Sequence, residues 1–165
     1  MSIRHPVVAV TGSSGAGTTT VKTAFEHIFR RLDVKAAIVE GDSYHRYSRV
    51  EMGKAIADAA ANGENISHFG PDANLLCDLG QLFKEFGETG KGKRRYYVHN
   101  EEEALQHGCP SGTFTPWEDL PQDVDMLLYE GLHGAMVTDE CDVTEYTDLL
   151  IGVVPIVNLE WIQKI

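Results

Sequence analysis

The segment Gly12-Ser13-Ser14-Gly15-Ala16-Gly17-Thr18-Thr19 constrains this chain more than any other. It follows a continuous apolar run, Val7-Val8-Ala9-Val10, which has the pattern of a buried parallel strand. It precedes Val21, Ala24, Phe25, Ile28 and Phe29, whose spacing predicts an amphipathic helix over 18–31. A Gly-rich segment between a strand and a helix is the setting in which G-x-x-x-x-G-K-[ST] cradles phosphate. The glycines let the backbone curl until its N–H groups face phosphate oxygens, and the helix N-terminus adds a favourable dipole. The candidate nucleotide-binding residues are therefore Gly12, Ser13, Ser14, Gly15, Ala16, Gly17, Thr18, Thr19 and Thr20. Thr19 stands where a hydroxyl ligates Mg2+. Thr18 stands where the motif has Lys, so another cation has to supply the charge normally placed on the β- and γ-phosphates. A plain Gly/Ser-rich turn is the bland alternative. A dinucleotide site is the other, but the intervals between Gly12, Gly15 and Gly17 do not fit G-x-G-x-x-G.

Strand and helix patterns alternate beyond this segment. Ala36-Ala37-Ile38-Val39 reads as a second strand, 50–62 as an Ala-rich helix, and 64–72 as a loop. Leu75, Leu76, Leu79, Leu82, Phe83 and Phe86 form the clearest helical stripe, which stops at Gly87. Residues 94–99 read as a strand or hairpin arm, Glu101-Glu102-Glu103 as a solvated face and 107–122 as irregular. Met126-Leu127-Leu128-Tyr129 and 149–154 are further strands, and a helix begins at Asn158. The expectation is an α/β fold, a mainly parallel sheet flanked by helices, within a single domain over 1–165. Ligands of such folds sit beyond the carboxyl ends of the strands, so 12–19, Asp42 and Glu130 should gather at one edge.

Charge narrows the partners. The chain has 165 residues and a formal net charge of -11, which disfavours nucleic acid and anionic membranes. No apolar run approaches the ~20 residues that span a bilayer, and 1–6 lack a secretory signal, so the expected compartment is the cytoplasm. Positive charge is grouped at Lys91, Lys93, Arg94 and Arg95 and at Arg46 and Arg49 beside His45, which suits a small anionic ligand. The three cysteines, Cys77, Cys109 and Cys141, have no zinc-site spacing and read as reduced, structural thiols.

Asp42 follows the second strand in Glu40-Gly41-Asp42-Ser43-Tyr44-His45-Arg46, where a carboxylate can accept the proton of an attacking hydroxyl. Its bland reading is a turn aspartate. His45, Arg46 and Arg49 are placed to hold a sugar phosphate. Glu130 ends the third strand, the position of an acid that organises Mg2+. His133 lies near it without H-E-x-x-H spacing, and His5, His27, His68 and His107 receive no role.

Together GSSGAGTT, EGDSYHR, YYVH, YEGLHG and IGVVPIVNLEWIQKI resemble bacterial phosphoribulokinase along nearly the whole chain. That resemblance implies a P-loop kinase-type fold related to uridine kinase, and MgATP-dependent phosphorylation of the C1 hydroxyl of ribulose 5-phosphate in the Calvin cycle. It implies that Asp42 is the catalytic base, that His45, Arg49, Tyr97 and His99 bind the sugar phosphate, and that Glu130 with Thr19 serves Mg2+. Lys164 matches a family lysine near the phosphates and is the candidate for the charge missing at Thr18. NADH and AMP as effectors, and a homo-oligomer, are further implications. Ala16 stands where the plant branch has a regulatory cysteine, so that thiol switch is expected to be absent. Family members continue past WIQKI with an Arg-Asp pair and a further Arg, so the fold is expected to be incomplete at the C-terminus. The alternatives are a uridine or other nucleoside kinase, and a non-catalytic nucleotide-binding fragment. The basic groups around Asp42 and at 93–95 favour a phosphorylated acceptor over a neutral nucleoside.

Overall fold

The computed structural model describes residues 5–155; Lys164 and the helix expected from Asn158 lie outside the described residues. The elements in chain order are β1 (Val7–Gly12), α1 (Thr18–Leu32), β2 (Ala36–Glu40), α2 (Arg49–Ala61), α3 (Leu76–Thr89), β3 (Lys93–Arg94), α4 (Glu101–His107), β4 (Glu118–Asp119), β5 (Met126–Gly131) and β6 (Leu149–Val153). Short 3-10 turns at Gly41–Tyr44, Pro71–Ala73 and Val143–Tyr146 join some of them. Among the described residues the main sheet has four strands in the order β2-β5-β1-β6, all parallel. The small strands β3 and β4 form a separate antiparallel pair.

Alternation along the strands explains the layers. Successive side chains point to opposite faces of a sheet. Val7, Ala9, Ala37, Val39, Leu127 and Tyr129 face α3, which buries Leu79, Leu82, Phe83 and Phe86 against them. Val8, Val10, Met126 and Leu128 face the other way and meet Val21, Phe25 and Phe29 of α1. The sheet is thus covered on both faces, as a parallel sheet requires. At the edge, Leu149 and Leu150 of β6 remain 51% and 43% exposed.

Two expectations change and one is refined. The α3 helix continues through Gly87 and ends at Gly90, whose φ of 69° is left-handed and whose N–H reaches Phe86 O at 2.7 Å. The three glutamates at 101–103 are the first turn of α4, started by Asn100, whose side chain accepts from the Glu103 N–H at 3.0 Å. Negative charge there complements the helix dipole, a signal as readable as a solvated face. Finally, Cys77 and Cys141 are disulfide-bonded, with Cα atoms 5.4 Å apart, and Cys109 alone is a free thiol. The bond ties the start of α3 to the turn before Val143, two places that chain spacing does not show to be neighbours.

Close backbone contact shapes the edge where β2 and β5 end. A Cβ on Gly131 would lie 2.7 Å from the Gly41 Cα and 2.7 Å from the Tyr129 hydroxyl oxygen. Only glycines allow these strand ends to lie so near each other. The carboxylates on either side, Asp42 and Glu130, are carried by that contact.

Candidate active site at the carboxyl edge of the sheet

The predicted phosphate loop leaves β1 and enters α1 through residues in the left-handed region, Gly15 at φ 81° and Gly17 at φ 94°. The loop closes on itself through Ala16 N–H to Ser13 O at 2.9 Å. Gly17 occupies the N-cap of α1 and offers no side-chain cap, and the first turn holds no acidic residue. The first amides of α1 thus lack a capping side chain, which is the state an anion completes. From that first turn the Thr19 hydroxyl donates to Glu130 Oε1 at 3.3 Å. Strand register explains the meeting, because Val10 of β1 pairs with Glu130 of β5, and Glu130 pairs in turn with Glu40 of β2.

A hydroxyl beside a carboxylate is an oxygen donor set of the kind Mg2+ takes when phosphates complete its shell. Among the described residues no cluster of three or more His, Cys, Asp or Glu side chains holds a metal by itself. The residues present therefore fit a nucleotide-borne Mg2+ at Thr19 and Glu130, and fit triphosphate at 12–20.

Asp42 lies one strand further along the same edge, on the turn after β2. Its carboxylate stands between two imidazoles: Oδ1 is 3.2 Å from His45 Nε2 and Oδ2 is 3.4 Å from His99 Nε2. The His45 hydrogen bond holds its pKa below the usual carboxylate range against the opposing effect of burial, and the charges of His45, His99 and His68 add to the lowering. The side chain is half-exposed, so the carboxylate is both ionised and open to a ligand.

The other predicted residues converge on the same place. The Tyr97 ring packs edge-on to His45, His99 and Phe114 at 5.9, 5.0 and 5.2 Å between centroids. Arg49 opens α2, whose start is fixed by a capping box between Ser48 and Glu51. Its guanidinium donates to the His99 carbonyl at 2.9 Å. So Asp42, His45, Arg49, Tyr97 and His99, which come from two separate stretches of chain, form one cluster.

Three arginines of the sequence clusters have structural partners instead. Arg95 donates from Nε to Ser43 O at 2.8 Å and from Nη2 to His45 O at 2.7 Å, with its guanidinium 3.7 Å from the Phe114 ring centroid. It clamps the turn that carries Asp42. Arg94 donates to Ile38 O and Glu118, each at 3.0 Å. Arg46 turns to the carbonyl of Asp72 at 3.0 Å. Lys91 and Lys93 line a different cleft, with Asp119 and Leu120. Residues 93–95 therefore give less support to an anionic acceptor than their charge implies, and Arg49 with the histidines carries that argument.

Sequence reasoning missed four neighbours. His68 stacks on His45 with centroids 4.2 Å apart. Asn74 accepts from His45 at 2.7 Å. His133 is buried and bonds through Nε2 to Phe69 O at 3.0 Å, which anchors the 64–72 loop to the end of β5. Burial lowers the pKa of both His68 and His133. Lys22 pairs with Glu40 at 2.6 Å; burial works against its charge, but Glu40, Glu130 and Glu26 outweigh burial and raise its pKa. Only a helical-wheel count would have flagged Lys22, one turn past Thr18; the other contacts are purely tertiary.

A doubly covered parallel sheet with a Gly-rich loop at its carboxyl edge defines a P-loop kinase-type protein. Comparison with known proteins narrows the class. A model of the phosphoribulokinase/uridine kinase family matches residues 7–165, and the chain belongs to that family. It is 55% identical over 163 residues to phosphoribulokinase of Nitrobacter vulgaris, covering 98% of this chain and 56% of that protein. It is 57% identical over 166 residues to the plasmid phosphoribulokinase of Cupriavidus necator, covering 100% of this chain and 57% of the relative. The solved phosphoribulokinase from Rhodobacter spheroides superposes with a TM-score of 0.85 at 47% identity, over 98% of this chain and 55% of that one. The chain thus spans a little over half the length of these relatives. Among the described residues no helix is long and apolar enough to cross a membrane.

Proposed function

We propose that this chain is the nucleotide- and acceptor-binding part of an ATP-dependent kinase that phosphorylates the C1 hydroxyl of ribulose 5-phosphate. The observation that carries this reading is the Asp42 cluster, an ionised, half-exposed carboxylate between two histidines on the same sheet edge as the phosphate loop. A carboxylate held in that state is suited to accept the hydroxyl proton as the phosphoryl group arrives. In this reading Gly12 to Thr20 bind ATP, Thr19 and Glu130 hold Mg2+, and His45, Arg49, Tyr97 and His99 bind the sugar phosphate. The relatives' name, phosphoribulokinase, supplies the acceptor, and the acidic charge keeps nucleic acid away. Lys164 supplies the cation absent at Thr18, the whole enzyme is a cytoplasmic homo-oligomer, and NADH and AMP act as effectors.

The test is ADP release from MgATP, by this chain and by a version extended to the length of its relatives, with ribulose 5-phosphate or with uridine as acceptor. Release with ribulose 5-phosphate alone supports the reading. Release with uridine alone overturns it in favour of a nucleoside kinase. Nucleotide binding with no release from either acceptor overturns it in favour of a binding module.

A further inference from the structure

His45 and Asn74 lie opposite each other across an isolated antiparallel bridge, although 29 residues separate them. Backbone bonds on both sides fix the pairing: Arg46 N–H to Ala73 O and Leu75 N–H to Tyr44 O, each at 2.8 Å. Both side chains are buried, at 5% and 2% exposure. Between them His45 Nδ1 and Asn74 Oδ1 are 2.7 Å apart.

The direction of that bond follows from the rest of the Asn74 amide. Its Nδ2 faces two backbone carbonyls, His68 O at 3.1 Å and Gly70 O at 2.7 Å. A carbonyl only accepts, so the NH2 end of the amide has to lie there. The oxygen end, which also only accepts, is then turned to the ring. The Nδ1 of His45 therefore carries a proton in every charge state of the ring, and the nitrogen that gains or loses one is Nε2, 3.2 Å from Asp42.

We propose that Asn74 is a positioning residue for the candidate active site, which fixes His45 in its Nδ1–H form and so makes the His45–Asp42 bond depend on a single proton at Nε2. With that proton the imidazolium donates to the carboxylate. Without it, Nε2 and the carboxylate oxygen face each other as two acceptors and the bond is lost. A ring free to choose its tautomer would move the remaining proton to Nε2 and keep donating to Asp42. Asn74 removes that option. The low pKa of Asp42, due first to the His45 hydrogen bond, agrees with the donating state. The groups facing the His45 ring or its charge are Asp42 on its own turn, His68 from the loop, Tyr97 and Arg95 from the segment after α3, and His133 beyond β5. None of them offers Nδ1 another acceptor among the bonds observed. The catalytic consequence, a base poised by the proton on its neighbour, rests on the kinase reading; the tautomer does not.

The test is nitrogen NMR of the chain with 15N-labelled histidine, in spectra that distinguish a bare ring nitrogen from an N–H. The His45→Gln spectrum assigns the His45 signals. Across a pH titration the wild-type protein is expected to keep Nδ1 protonated while Nε2 alone changes. Asn74→Leu removes the acceptor, and the neutral His45 ring should switch to Nε2–H. Asn74→Asp restores an acceptor and should restore Nδ1–H. A bare Nδ1 in the wild-type neutral ring overturns the proposal with no variant needed. An unchanged Nδ1–H ring in folded Asn74→Leu overturns it as well. The spectra need no turnover, so a failure of the kinase assay and a failure of this assignment are separate results.

Discussion

The contact between Gly41 and Gly131 sets the spacing of the edge on which Asp42 and Glu130 sit, and one methyl group tests it. In Gly131→Ala the new Cβ would lie 2.7 Å from the Gly41 Cα, 2.7 Å from the Tyr129 hydroxyl and 3.1 Å from the Gly41 nitrogen. Ordinary carbon contacts are about 3.5–4.0 Å, so the intrusion approaches 1 Å. Two of the three atoms are backbone or attached to it, and the third belongs to a side chain with 0% exposure. None can swing away. The cost should reach the upper end of overpacking effects, about 3 kcal/mol. In a domain of this size that lowers Tm by about 6–12 °C. The matched control is Gly53→Ala, at an exposed position inside α2 where the new Cβ meets nothing within 4 Å. There the substitution replaces a poor helix former with the best one and should stabilise by about 0.5–1 kcal/mol. Urea unfolding with constant m-values reads both changes. A loss under about 1 kcal/mol for Gly131→Ala, or the same sign for both variants, refutes the reasoning.

Asp42→Asn should lower kinase turnover by about 10²–10⁴-fold, and a change within tenfold would remove Asp42 from the role of base. Because its folded pKa is lowered, the Asp42 carboxylate stabilises the fold above the ordinary carboxylate pKa of about 3.9, and that contribution is lost as pH falls through the folded value. The stability difference between wild type and Asp42→Asn should therefore vanish on the acid side only; a difference that persists at low pH contradicts this. Arg95→Lys keeps the charge but loses the fork to Ser43 O and His45 O and the stacking on Phe114, and should destabilise by about 2 kcal/mol in urea unfolding. Thiol titration of the unfolded, unreduced chain should find one reactive cysteine, Cys109, and reduction should lower stability by up to about 4 kcal/mol for a separation of 64 residues. Three reactive thiols before reduction would refute the Cys77–Cys141 bond.

Much of the fold was legible because the strands are continuous apolar runs bounded by glycine. Val7 to Val10, 36–39 and 126–129 each announce a buried parallel strand, and the rule that ligands sit at carboxyl ends brings 12–19, Asp42 and Glu130 to one edge in advance. The α3 stripe was equally plain, and only its end was misplaced, since a helical glycine is tolerated while a left-handed one terminates. What stayed hidden depends on pairing across distance. His45 with Asn74, His133 with Phe69 and Cys77 with Cys141 leave no periodic trace. Charge clusters misled for the same reason: Arg94 and Arg95 look like a ligand site in one dimension, and in three they satisfy carbonyls.

Replacing the lysine of the phosphate loop with Thr18 removes a point charge, and the lysine one helical turn further on, Lys22, does not restore it, because it is paired with Glu40 and under the influence of Glu130 and Glu26. Around the described loop, attraction for phosphate then comes from oriented amides: the left-handed Gly15 and Gly17, and an α1 N-terminus without a capping side chain. Such amides recognise shape and lone-pair direction but add no full charge. Groups that can carry positive charge are instead gathered near Asp42, where His45 and His99 contact its carboxylate and Arg49 donates to the His99 carbonyl. Two of those three groups are histidines, whose Nε2 atoms stand 3.2 and 3.4 Å from the Asp42 carboxylate. The described loop thus presents oriented amides and no cationic side chain of its own, while Arg49, His45 and His99 lie at the Asp42 end of the same edge.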